Sequence, residues 1–212
     1  MMKTIMCYGD SNTWGANPDW SGRIDIHTRW AGVLRDQLGA DYHVVEEGLS
    51  GRTTVHDDPI EGAHKNGRAS LPMLLETHTP LDLVIIMLGT NDLKKRFDVP
   101  ASDIARGMGV LAKIVLSSAA GVAGKAPKVL LVSPAPIAPL AGTPFEDMFE
   151  GAPAKSEKLA GFYAQTAAEL GCAFFDAGSV IVSSPRDAIH IDPDQHVKLG
   201  EALVEQVKNL IG

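Results

Sequence analysis

Five short apolar runs punctuate the chain: KTIMCY at 3–8, HVVE at 43–46, LVIIML at 83–88, KVLLV at 128–132 and AFFD at 173–176. Most read as strands. The near-continuous ones suit a parallel sheet covered on both faces, since a half-exposed strand alternates apolar with polar residues. Helical periodicity fills the intervals. In TRWAGVLRDQLG, residues 28–39, Trp30, Val33, Leu34 and Leu38 share one face, Thr28 is placed to cap the start and Gly39 suits the end. The stripe Ile104, Met108, Leu111 and Val115 predicts a helix over about 101–118. Another runs over 153–170 through Leu159, Phe162, Tyr163 and Leu170, opened by Pro153 and closed by Gly171. A last one, over about 195–210, aligns Leu199, Leu203, Val207 and Leu210.

Strand followed by helix, repeated about five times, predicts an α/β fold. The expectation is one domain over 1–212: a three-layer αβα, flavodoxin-like arrangement with a five-stranded, mainly parallel sheet. Three stretches lack pattern, at 16–27, 52–69 and 133–152. Loops of that length in a compact domain serve as pocket walls, lids or subunit contacts, or are simply tolerated.

Composition narrows the classes. A chain of 212 residues that is 45% hydrophobic can bury one substantial core, yet its apolar runs fall far short of the roughly 20 residues a membrane span requires. The start, MMKTIMCYGD, reaches an aspartate before any signal-length apolar region, which predicts a cytoplasmic protein. Cys7 and Cys172 read as buried free thiols, not as a disulfide or metal pair. A net charge of −7, without basic residues interleaved with aromatics, speaks against nucleic acid as a partner. The pair Lys94 and Lys95 reads as a solvated loop.

Ligands of open α/β sheets bind outside the carboxyl ends of the strands. There the chain carries GDSNTWG with Ser11, EGLSGRTT with Gly51 and LGTNDLK with Asn91. A serine hydroxyl is a poor nucleophile until a base takes its proton, and the base needs a third group to fix its tautomer. Of seven histidines, His27, His43, His56, His64 and His78 show no ligand spacing, and HExxH and CxxC are absent, so no metal is expected. The segment SSPRDAIHIDPDQH, residues 183–196, differs. Asp187 lies three residues before His190, so its carboxylate can bend back to one ring nitrogen and leave the other for Ser11. Asp192, Asp194 and His196 compete, although Asp194 and His196 suit the start of the last helix, Asp194 as its cap. An oxyanion hole could draw on the Asn91 side chain and the backbone N–H groups of Gly51 and Ser11, with Asn91 as a plain turn residue the competing reading. Trp30 belongs to an apolar stripe, whereas Trp14, three residues past Ser11, suits either a pocket wall or packing.

Taken together, GDSNTWG, EEGLSGRTT, LGTND and DAIH resemble the four sequence blocks of the SGNH (GDSL) hydrolase superfamily, in order and over nearly the whole chain. VVEEGLSGRTT, LDLVIIMLGTND and FFDAGSVI are similar to its cytoplasmic arylesterase/acyltransferase branch. The resemblance implies that Ser11 is the nucleophile, His190 the general base and Asp187 its orienter, with Ser11, Gly51 and Asn91 forming the oxyanion hole. It further implies a serine esterase of short-chain acetyl, aryl or carbohydrate esters, with acyl transfer to alcohols and no cofactor. A small-molecule ester would be its partner, in a homo-oligomer contacted through 16–27 and 133–152. Asn12 stands where the GDSL name has leucine, which makes Asn12 and Trp14 candidate substrate-binding residues. Alternatives are a thioesterase or lysophospholipase of the same superfamily and a noncatalytic small-molecule binding module. An α/β-hydrolase lacks its GxSxG here, and a dinucleotide site lacks GxGxxG.

Overall fold

In the computed structural model, which describes residues 2–212, five strands form one sheet: β1 (Lys3–Gly9), β2 (Tyr42–Gly48), β3 (Leu83–Met87), β4 (Lys128–Ser133) and β5 (Ala173–Asp176). All neighbours pair in parallel, in the order β2-β1-β3-β4-β5. This is the flavodoxin-like order the pattern predicts. Side chains alternate between the faces: Ile5 and Cys7 of β1 join one core, Met6 and Tyr8 the other, and all four are fully buried. Burial on both faces explains why these strands read as unbroken apolar runs.

One core is closed by α2 (Trp30–Leu38) and α7 (Pro193–Ile211). The other is closed by α3 (Gly67–Thr77), α4 (Ala101–Leu116) and α6 (Leu159–Leu170). Among the described residues no helix is long and apolar enough to cross a membrane. The register places Gly9 opposite both Gly48 and Met87, so β1, β2 and β3 end level and their following turns emerge together. Strand order reverses between β1 and β3, where sheets of this kind open a crevice.

Four expectations are corrected. The helix α3 lies where no pattern was read, because it begins at a glycine, carries Pro72 inside and buries only Leu71 and Leu75 as large apolar side chains. The helix read over 153–170 is two, α5 (Ala152–Ser156) and α6, since the Ser156 hydroxyl donates to Pro153 O (2.7 Å) and accepts from Ile137 N–H (3.0 Å). Thr28 does not cap α2, which starts after Arg29 without a side-chain cap. Asp194 does not cap α7 either. Pro193 already occupies the first turn, Asp192 is the cap position, and the Asp194 carboxylate accepts from Lys198 (3.1 Å).

Candidate active site

The turn after β1 becomes the four-residue helix α1 (Ser11–Trp14) because Asp10 caps it, its carboxylate accepting the Asn12 N–H at 3.0 Å. Ser11 follows at once and is nearly buried. Its Oγ lies 2.9 Å from His190 Nε2, and His190 Nδ1 lies 2.6 Å from Asp187 Oδ2. The other Asp187 oxygen accepts the backbone N–H groups of Ile189 and His190, each at 2.9 Å. Burial pushes the Asp187 pKa up, but the His190 hydrogen bond and charge and these two N–H groups outweigh it, so the carboxyl sits below its ordinary value.

The competitors named for that role are placed elsewhere. Asp192 lies 3.8 Å from Arg186. His196 is buried between α2 and α7, accepts the Trp30 N–H through Nδ1 at 3.2 Å, and is held down to about 3 by burial and by the charges of His190 and Arg29. It is a neutral histidine of the core.

Asn12, read as a pocket residue, is not among those lining the cavity beside Ser11. Its Nδ2 donates to Ile189 O (3.3 Å) and its Oδ1 accepts the Ile191 N–H (3.1 Å), so both ends of the amide are spent on the loop that carries His190. A leucine could make neither bond.

The turn after β2 is closed by Arg52 N–H to Leu49 O at 3.0 Å, with Gly51 at φ +83°, a value the third residue of such a turn demands of glycine. After β3, Gly89 takes φ +119° against the Tyr163 hydroxyl, which a Cβ there would approach to 2.2 Å. Asn91 follows and donates through Nδ2 to Arg52 O at 3.2 Å. An amide nitrogen carries two hydrogens, so one stays available. The N–H groups of Ser11 and Gly51 are used by no hydrogen bond among the described residues. Next to Asn91, the buried Asp92 carboxylate accepts both the backbone N–H (2.9 Å) and the hydroxyl of Thr54, tying the second turn to the third.

Ser11, Gly51, Asn91 and His190 line one cavity of about 370 Å³. Its apolar lining is made of Trp14, Trp20, Phe145, Met148, Phe149 and Ile189, and its polar lining includes Asn17, Ser50, Glu61 and Lys94. Trp14 is thus a wall residue, while Trp30 is wholly buried in the core. All three unpatterned stretches contribute. Trp20, in the left-handed region at φ +65° and 63% exposed, meets Phe145 at 5.4 Å between ring centroids. Lys95 is exposed as expected, but Lys94 is not: it is buried and ion-paired with Glu61 and Asp58. Sequence reasoning missed Phe145, Met148, Phe149, Trp20 and Glu61. FEDMF, three large apolar residues in a stretch without periodicity, was the available signal. Among the described residues no group of three His, Cys, Asp or Glu side chains could hold a metal ion.

A buried serine hydroxyl bonded to an imidazole, the imidazole bonded to a carboxylate, and free N–H donors beside the serine together suit acyl transfer. The chain matches the GDSL-like lipase/acylhydrolase family over residues 7–202. It is similar to the solved inhibitor-bound form of the M. smegmatis aryl esterase, at 50% identity and a TM-score of 0.94, covering 99% of this chain and 100% of that one. A carbohydrate acetylesterase from Sinorhizobium meliloti is 45% identical, with a TM-score of 0.94 over 99% of this chain and 100% of its own. An arylesterase of Vibrio mimicus is 35% identical over 103 residues, 47% of this chain and 45% of that protein, so the match spans less than half of that relative's length.

Proposed function

The chain belongs to the GDSL-like lipase/acylhydrolase family, and from that premise we propose that it is a carboxylic ester hydrolase acting through a Ser11–His190–Asp187 triad on short-chain acyl esters. The observation that carries the reading is the unbroken line from Ser11 Oγ through the two His190 nitrogens to Asp187, at 2.9 and 2.6 Å. Ser11 attacks the ester carbonyl while His190 Nε2 takes the hydroxyl proton. The negative charge then forming on the carbonyl oxygen is met by the N–H groups of Ser11 and Gly51 and the free Asn91 hydrogen. His190 returns the proton to the departing alcohol. Water, deprotonated by the same nitrogen, releases the acid from Ser11 and restores the enzyme.

A cavity of about 370 Å³ that must hold both acyl and alcohol portions supports small substrates, and its six-residue apolar lining supports aryl or acetyl groups. That lining equally favours an alcohol over water at the acyl-enzyme, so transfer to added alcohols belongs to the same proposal. The family likeness makes a homo-oligomer the expected assembly, which light scattering reads directly.

The test is a serine-directed phosphonate together with Ser11→Ala. Wild type is expected to gain the phosphonyl mass at Ser11 and lose activity on p-nitrophenyl acetate; Ser11→Ala is expected to be inert to the reagent and inactive. Equal rates for wild type and Ser11→Ala would overturn the serine mechanism.

A further inference from the structure

The three N–H donors come from three separate turns, after β1, β2 and β3, and one residue not used in the chemistry touches what holds each of them: Arg52, by its side chain at the first turn and by its backbone at the other two. Arg52 Nη1 donates to Gly9 O at 2.7 Å, two residues before Ser11, and to Glu47 O in β2. Its own N–H closes the turn that gives Gly51 its φ of +83°. Its carbonyl accepts the Asn91 amide at 3.2 Å and so fixes the plane in which the second Asn91 hydrogen lies.

We propose that Arg52 is the positioning residue of the oxyanion hole, setting Ser11, Gly51 and Asn91 in one mutual geometry through three backbone and amide contacts. The inference rests on the serine-esterase reading above.

The cost of the arrangement argues for more than loop stability. Arg52 is 4% exposed, its Nε has no hydrogen-bond partner, and its side-chain hydrogen bonds go to neutral carbonyls rather than to a carboxylate. A buried cation so placed is expensive, and a well-packed apolar side chain would join the turns at less cost. What an apolar residue cannot do is donate to Gly9 O and Glu47 O at once, as the two hydrogens of Nη1 do from a rigid guanidinium plane. That plane lies over the Tyr8 ring at 4.2 Å, and Tyr8 is itself pinned by its hydroxyl to Gly67 O at 2.7 Å. The chain of contacts therefore ends on α3 and the buried core, not on a mobile loop.

Arg52→Lys keeps the charge and the donors but carries them on a flexible stem in place of the rigid guanidinium plane; Arg52→Gln keeps a nitrogen with two hydrogens on a shorter, uncharged side chain. Each is read by circular dichroism for fold, by kcat and KM on p-nitrophenyl acetate, and by the affinity of a trifluoromethyl ketone, whose adduct carries an oxyanion. The expected result is a folded protein whose kcat falls at least about tenfold, whose KM moves less than about threefold, and whose ketone affinity falls in parallel with kcat/KM. On an Asn91→Ala background the Arg52→Lys loss should shrink to less than about threefold, because both changes act on one hole. Wild-type kcat in a folded variant, a full multiplicative loss on the Asn91→Ala background, or loss of fold in both variants overturns the proposal, the last by making Arg52 a residue of the fold alone. An active Ser11→Ala, by contrast, would sink the esterase reading itself whatever Arg52 does.

Discussion

His190 is held over Ser11 by a partner three residues away in the chain, whereas Asn91 is held by one 39 residues away and Arg52 reaches Gly9 across 43. The base arm is a local device: Asp187 bends back, uses both oxygens on its own turn, and needs only Asn12 to fasten that turn to the nucleophile helix. The oxyanion arm is assembled from strand ends that meet because the register of β1, β2 and β3 is level. Local geometry survives small shifts of the sheet, while a geometry built across three turns shifts with any of them. Damage to the base arm should therefore be deep and confined to chemistry. Damage to the oxyanion arm should be graded.

The largest expected effect breaks the base arm alone. Asp187→Asn is nearly isosteric but presents a donor to Nδ1 and favours the wrong imidazole tautomer, so kcat should fall by about 10⁴-fold with substrate binding intact. If Asp192→Asn is the damaging change instead, the acid has been misassigned. On the other arm, Asn91→Ala removes one oxyanion donor and should cost about 10²- to 10³-fold in kcat, or about 2.7–4 kcal/mol of transition-state stabilisation. A near-normal rate would remove Asn91 from the mechanism. The junction between the arms is Asn12. Asn12→Leu, which writes the GDSL leucine into this chain, leaves the buried Ile191 N–H unpaired and frees the His190 loop, for a loss of about 10- to 100-fold in kcat at steady KM. An unchanged kcat with altered acyl-chain preference would return Asn12 to the pocket.

The same contrast explains what the sequence made legible. The spacing of Asp187 and His190 carries its own geometry, and unbroken apolar strands separated by helical stripes carry the parallel, doubly covered sheet. The four motif blocks could be aligned on one sheet edge because parallel strands of this fold end together. Arg52 and Asn12 were opaque, since each works through backbone groups far along the chain, and no residue pattern records which carbonyl a side chain will meet. Asn12 was assigned to the pocket because it replaces the GDSL leucine beside the nucleophile, and the helix α3 was missed for its Gly67 and Pro72. The cavity wall was hidden in stretches without periodicity, where only tertiary contact, such as Trp20 against Phe145, decides which side chain faces the serine.

Asp10 sits between the two arms and supplies the smallest and most specific test. Burial raises its pKa to about 6, against the lowering effects of the Asn12 N–H and of the His190 and Arg52 charges. In the unfolded chain it titrates near ~3.9, so between about pH 4 and 6 the folded state holds a proton there that the unfolded state lacks, and stability is lost as pH rises. His196 does the opposite. Burial lowers it to about 3 against ~6.5 unfolded, so over the same window the unfolded state holds the extra proton and stability is lost as pH falls. The two slopes oppose each other in wild type. Asp187, whose pKa is lowered, contributes stability above its unfolded value of ~3.9 that is lost as pH falls through its folded value, below this window. Asp10→Asn keeps the acceptor for the Asn12 N–H and removes one slope, so the variant should lose up to about 1.4 kcal/mol more than wild type for each pH unit of acidification between pH 6 and 4. Urea unfolding at pH 6, 5 and 4 measures this directly, and parallel slopes for the two proteins would show that Asp10 is already ionised throughout, with the His190 and Arg52 charges outweighing its burial.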